Sequence, residues 1–181
     1  MAPKPLLSRD IRYVLWFTPG GAARARLRRL IKRLATHYGT EAFIPHVTLL
    51  GSLAGARDDI LARSESLAHR NPPFAIRLAR ADMHDYFFEA LFIHAGHSPT
   101  LMRANRLARS VFGKLGGEQF MPHLSLLYGD LPVAAKELIL DRIGRRFDLA
   151  FEVRHVELWA IRGGPKQWRR VKRIPLQGAK H

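Results

Sequence analysis

Two short segments carry the residue types that acid–base chemistry needs. FIPHVTLL runs from Phe43 to Leu50, and FMPHLSLL runs from Phe120 to Leu127. On an extended strand residues i and i+2 point to one face, so His46 lies beside Thr48 and His123 beside Ser125. Imidazole ionises near pH 6.5, which allows one histidine to act as a neutral base while the other remains an imidazolium acid. That division of labour suits hydrolysis of a phosphodiester. One histidine takes a proton from water, the other protonates the departing sugar oxygen, and Thr48 and Ser125 donate hydrogen bonds to the non-bridging phosphate oxygens. The scheme calls for no metal and no cofactor.

A single His-x-Thr on an apolar strand is ordinarily a hydrogen-bonded structural histidine. Packing explains why Leu, Val and Phe recur in the second copy, but it gives no reason to repeat the histidine, since an unpaired imidazole is costly to bury. A metal site with His46 and His123 as ligands is the weaker alternative, because neither strand carries a neighbouring carboxylate or second histidine to complete a coordination shell. The 181 residues include no cysteine, which excludes a disulfide scaffold, a thiolate nucleophile, an iron–sulfur cluster and a Cys-ligated zinc. The formal charge of +15 points to anionic partners such as nucleotides or phosphates. MAPKPLLSRD lacks the apolar run of a secretory signal and no stretch is long enough to span a membrane, so the expectation is a cytoplasmic monomer without a membrane partner.

The elements that must hold these strands form a repeat. The histidine offset is 123 − 46 = 77, and the same shift maps Leu27, Ile31, Leu34 and Tyr38 onto Ala104, Ala108, Val111 and Leu115, and Gly39 onto Gly116. Each set recurs at helical spacing. The pattern predicts a strand at Ile11 to Phe17, a helix at Ala22 to Tyr38, a strand at Phe43 to Gly51 and a helix at Asp58 to His69. A hairpin is expected over Phe74 to Met83 and Tyr86 to Ala95, turning at His84-Asp85. The second half predicts a helix opening at Ser98-Pro99, a strand at Phe120 to Tyr128 and a helix from Val133 to Arg146. Two strands then flank Gly163-Gly164-Pro165, read as a turn because no helix follows it. The expected fold is α+β, a single domain over 1–181 built of two pseudo-symmetric lobes, with repeats at about 11–83 and 86–176, mainly antiparallel sheet, flanking helices and a central cleft.

Paired H-x-[ST] strands in a duplicated α+β chain of this size resemble the two-histidine phosphoesterase superfamily. PHVTLLG at Pro45 to Gly51 and MPHLSLLYGDL at Met121 to Leu131 resemble its cyclic phosphodiesterase branch, known from plants and fungi. ELWAIRGGPKQWRRVKRIPL at Glu157 to Leu176 is similar to the closing strands of that branch. The resemblance implies metal-independent opening of a nucleoside 2′,3′-cyclic phosphate, or of ADP-ribose 1″,2″-cyclic phosphate, to a phosphomonoester. It carries the catalytic roles onto His46 and His123 and the phosphate contacts onto Thr48 and Ser125. Tyr128 matches a family tyrosine that contacts phosphate through water. Its repeat partner is Gly51, so this role belongs to one lobe.

Trp16 is read as a base-stacking residue, since its repeat partner under the 77-residue shift is Ile93 and a base must sit on one side only. Arg24, Arg26, Arg28, Arg29, Lys32 and Arg33 form either a basic rim for RNA or a solvated helix face. His37, His69, His84, His94, His97, His155 and His181 lack a matching hydroxyl at i+2 and a repeat counterpart and receive no role. The expected partner is a small cyclic nucleotide. The alternatives are an RNA-end-processing or 2′–5′ ligase-like enzyme acting on a polymer, and a non-catalytic RNA- or nucleotide-binding module.

Overall fold

The computed structural model describes residues 11–114 and 119–178, which leaves the Met1 to Asp10 segment, Leu115, Gly116 and His181 of the sequence reading outside the described residues. The elements in chain order are β1 (Arg12–Phe17), α1 (Gly21–Tyr38), β2 (Val47–Leu53), α2 (Arg57–His69), β3 (Phe74–Asp82) and β4 (Leu91–Ala95). They continue with α3 (Pro99–Val111), β5 (His123–Leu127), α4 (Val133–Ile143), β6 (Arg146–Val153), β7 (His155–Ile161) and β8 (Arg169–Pro175). The fold is α+β, as the patterning predicts. The strands pair throughout as antiparallel neighbours in the order β6-β3-β4-β5-β2-β1-β7-β8.

The helices form where the stripes place them. Leu27, Ile31 and Leu34 are buried on α1, and Gly39 ends it in the left-handed region at φ 65°, a conformation that costs a glycine little. Ser98 caps α3 by accepting a hydrogen bond from the Leu101 amide, with Pro99 in the first turn. α1 packs over β5 and α3 over β2, so each helix crosses onto the strand of the other repeat. Beneath them Val47, Leu49, Leu124 and Leu126 are buried. Asn105 on α3 donates from Nδ2 to the Leu49 carbonyl at 2.7 Å, tying helix to strand in the core.

Three features depart from the sequence reading. The β3–β4 connection is longer than a tight turn at His84-Asp85, because Phe87 to Glu89 form a 3₁₀ turn whose Phe87 and Phe88 pack against the core. Lys136 of α4, itself buried, holds this loop by donating from Nζ to the His84 carbonyl at 2.8 Å and by pairing with Asp85 Oδ1 at 3.3 Å. β6 is a strand of its own, set off from α4 by Gly144 at φ 81°, where the sequence reading runs the helix on to Arg146. The third departure is a slip of one residue in the repeat. Trp16 pairs with Thr48, whereas Phe92, not Ile93, pairs with Ser125. Helix and second strand keep the 77-residue shift while the first strand takes 76, so the extra residue falls between β4 and α3.

Asn105→Ala leaves the buried Leu49 carbonyl without this donor, a loss expected to cost about 1–3 kcal/mol. Urea unfolding should show a lower midpoint at unchanged slope.

Candidate active site

The β2–β5 junction has one registered pair, Val47 with Leu124, and these two residues are repeat equivalents. Carried one residue to either side, this antiparallel register sets His46 opposite Ser125 and Thr48 opposite His123. All four side chains then share the sheet face opposite buried Val47 and Leu124, with the histidines on one diagonal and the hydroxyls on the other. The two H-x-[ST] segments therefore meet at one place.

Each histidine is held by its own strand. Nδ1 of His46 lies 2.6 Å from the Ile44 carbonyl and Nδ1 of His123 lies 2.9 Å from the Met121 carbonyl, so in both rings Nδ1–H donates to the residue two positions earlier. A carbonyl can only accept, which leaves Nε2 of a neutral ring with its lone pair free. The preceding Pro45 and Pro122 favour extended backbone at Ile44 and Met121, the residues that offer these carbonyls.

The surroundings of the two rings differ. His46 is 7% exposed and stacks on Trp16, with ring centres 3.7 Å apart and planes 17° apart. Burial pushes its pKa down to about 4, and the charge of His123 pushes the same way, against the opposing effect of the Ile44 hydrogen bond. His46 is accordingly neutral at pH 7. His123 meets Phe92 edge-on at 5.2 Å, and its Nε2 lies 3.8 Å from Glu89 Oε1, while Glu89 Oε2 pairs with His84 Nδ1 at 2.8 Å. A carboxylate thus faces one histidine and an indole the other. Glu89 lies in the connection that the sequence reading shortens to a turn, which is why sequence spacing does not single it out.

Ser125 Oγ donates to the Phe88 carbonyl at 3.1 Å. Tyr128 is buried and stacks on Phe43 at 3.9 Å and 14°. Burial raises its pKa well above the ordinary value, and its hydroxyl hydrogen-bonds to Ser125, so it joins the site as a neutral phenol. Trp16 reaches the site in a different capacity from the one its sequence position suggests. It is 2% exposed and packed against His46, Trp159 and Trp168, so it supports His46 and has no open face for a base. Its structural counterpart Phe92 is also aromatic, and the asymmetry inferred from Ile93 is lost with the one-residue slip.

Beside Tyr128 opens a cavity of about 590 Å³ walled by Phe87, Phe88 and Trp168, with the carboxylates of Glu41 and Asp130 among its lining. Thr40 also lines it, and among the described residues Thr40 Oγ1 and Trp168 Nε1 are buried without a hydrogen-bond partner. No group of three or more His, Asp or Glu among the described residues is arranged to hold a metal ion. No helix among them is long and apolar enough to cross a membrane.

The family model of the 2′-5′ RNA ligase superfamily matches residues 19–165, a span that holds both H-x-[ST] strands. The chain belongs to this superfamily, the two-histidine phosphoesterases. Among its curated relatives, a cyclic phosphodiesterase of Arabidopsis thaliana is 26% identical over 125 residues, covering 69% of each chain. The fold matches TT0787 of Thermus thermophilus at a TM-score of 0.68 and 21% identity, over 93% of this chain and 100% of that one. It also matches E. coli LigT, solved with 3′-AMP, at a TM-score of 0.64 and 20% identity, over 92% and 98% of the two chains. At such identities the two structures establish a shared two-histidine phosphoesterase fold.

The unfolded chain binds a proton at His46 near pH 6.5 and the folded chain only near 4, so between these values the unfolded state holds more protons and stability falls as pH is lowered. The loss attributable to His46 should reach about 3 kcal/mol by pH 4, since each pH unit between the two midpoints is worth about 1.36 kcal/mol. An NMR titration of the ring protons should give His46 a midpoint near 4. In Trp16→Leu, which opens the ring to water, that midpoint should move up toward 6.5.

Proposed function

We propose that this two-histidine phosphoesterase hydrolyses a cyclic phosphodiester of a nucleotide, a nucleoside 2′,3′-cyclic phosphate or ADP-ribose 1″,2″-cyclic phosphate, to a phosphomonoester. The observation that carries the reading is the pair of histidines, each held at Nδ1 by a carbonyl two residues upstream and set diagonally about the Val47–Leu124 pair with a hydroxyl beside each. The kinship with a cyclic phosphodiesterase supports the reaction class. The complex of LigT with 3′-AMP supports a nucleotide as ligand.

In this reading the phosphate sits between the histidines and accepts hydrogen bonds from Thr48, from Ser125 once its hydroxyl turns away from the Phe88 carbonyl, and, through water, from Tyr128. His46 is the base, because its environment keeps it uncharged at neutral pH. Its Nε2 takes a proton from water as the oxygen bonds to phosphorus. On the far side the phosphorus–sugar oxygen bond breaks, and that oxygen receives the proton of His123 Nε2, so one diester and one water yield one monoester and one alcohol. The phosphate's negative charge favours the imidazolium formed at His46. Glu89 faces the imidazolium form of His123 before transfer. Solvent exchange returns one proton from His46 and restores one to His123. The nucleobase occupies the aromatic cavity, where among the described residues Trp168 Nε1 and Thr40 Oγ1 lack partners, and Glu41 and Asp130 accept from its amino groups.

Incubation with 2′,3′-cyclic mononucleotides, a cyclic-phosphate-ended oligonucleotide and ADP-ribose cyclic phosphate, followed by phosphorus NMR, should give phosphomonoesters in the presence of chelator. His46→Ala and His123→Ala should each lower kcat by about 10²-fold or more, the lower end of what general acid–base catalysis supplies. Thr48→Ala and Ser125→Ala should lose less. Full activity in His46→Ala, or activity that chelator removes and zinc restores, would replace this mechanism with a metal site.

A further inference from the structure

On the outer side of α1 lies a concavity of about 830 Å³ lined by Arg26, Arg29, Lys32 and Arg33, with Leu30, Ile143 and Phe147 as its apolar part and, among the described residues, no carboxylate in its lining. The four cations are exposed, and among the described residues none has an ion pair or side-chain hydrogen bond. Several cations elsewhere meet acids, Arg63 with Asp59, Arg145 with Glu137 and Asp141, Arg154 with Glu152, and Lys172 with Glu65, whereas among the described residues this group of four lies together with none. α1 has six Lys and Arg residues, no acidic residue in its first turn, and Arg24 close to its N-terminus. Cations there oppose the helix dipole and one another, so folding alone disfavours this arrangement.

Arg26, Arg29 and Arg33 are spaced by three and four residues, which puts them in one row along about 10 Å of helix. Such a row matches an extended polyanion better than a single phosphate, and the guanidinium fork suits phosphate oxygens. The apolar patch formed by Leu30, Ile143 and Phe147 lies in a recess, a shape that receives an unstacked base and not a flat lipid surface. Thr36 and His37 line this recess, while Gly39, Thr40 and Glu41 line the aromatic cavity beside the histidine-bearing strands, so both concavities draw lining residues from the C-terminal end of α1 and the loop that follows it.

We propose that the α1 recess is a backbone-binding site for single-stranded polynucleotide, distinct from the histidine pair. It binds strands whatever the chemistry of their ends. The test uses the full chain and a fluorescent oligouridylate of about twelve nucleotides with a plain 3′-hydroxyl end, within the span that single-strand grooves cover. Fluorescence anisotropy should show binding whose logarithm falls with the logarithm of salt at a slope near −3, from about −0.7 per phosphate over four contacts. The double variant Arg29→Glu/Arg33→Glu should weaken binding at least about tenfold and reduce the slope by about half. Arg57→Glu/Arg162→Glu makes the same change in net charge elsewhere and should retain affinity within about twofold at moderate salt. Equal loss in both double variants, or none in the α1 variant, overturns the proposal. Binding of phosphatidylserine vesicles that depends on Arg29 and Arg33, without binding of oligouridylate, overturns it in favour of a membrane surface. Circular dichroism melting checks that the variants fold; should the reversal unfold the chain, Arg29→Gln/Arg33→Gln must still weaken oligouridylate binding several-fold.

Discussion

The junction of β2 with β5 governs the candidate site. Its one registered pair, Val47 with Leu124, joins equivalent residues of the two repeats, so whatever faces outward beside it appears twice and in opposite senses. In the proposed reaction the two histidines on one diagonal approach a tetrahedral phosphorus from opposite sides, as in-line displacement needs, with the hydroxyls on the other diagonal for the equatorial oxygens. A shift of this register by one residue would turn one H-x-[ST] pair into the core. The apolar face prevents that slip: Val47, Leu49, Leu124 and Leu126 are buried beneath α1 and α3.

Symmetry supplies the positions, and its breakdown makes the surroundings of the two histidines unlike. Both imidazoles are oriented by the same device, a carbonyl two residues upstream. They differ in what covers them. A stacked indole and near-complete burial disfavour charge at His46, whereas a carboxylate stands opposite Nε2 of His123. That carboxylate arrives on the β3–β4 loop, held from beneath by buried Lys136 and from the side by the hydrogen bond of Ser125 to Phe88. α4 is thereby coupled to the site without touching it. The difference between the surroundings of the two histidines thus depends on the β3–β4 loop, which brings Glu89 to His123, and on the β7–β8 connection, which brings Trp168 to His46.

Much of this was legible in the residues. The H-x-[ST] octets, the helical stripe of Leu27, Ile31 and Leu34, the stop at Gly39 and the cap at Ser98 all follow from local rules of strand alternation, helical spacing and capping, and the structure places them accordingly. Contacts between segments far apart in sequence were not legible. Glu89 approaches His123 only because the loop carrying it folds back as a 3₁₀ turn. Trp168 reaches the site from the far end of the chain, 122 residues beyond His46 by the numbering. The gap-free repeat was informative and slightly misleading, since a single extra residue between β4 and α3 exchanges the partner of Trp16 from Ile93 to Phe92. A slip of this kind leaves the pattern of apolar residues almost unchanged while reversing which of two neighbours packs against the histidine.

The strand order also dictates when the site can come into being. β3 through β6 occupy one continuous stretch of chain, whereas β1 and β2 lie beside β7 and β8, which are made last. During synthesis the strand bearing His123 gains its own neighbours while Trp16 still lacks β7, its partner on the side away from β2. The indole that shields His46 is seated only when Glu157 and Trp159 have emerged to close around it. A nascent chain can therefore surround His123 before the indole beside His46 is walled in by β7.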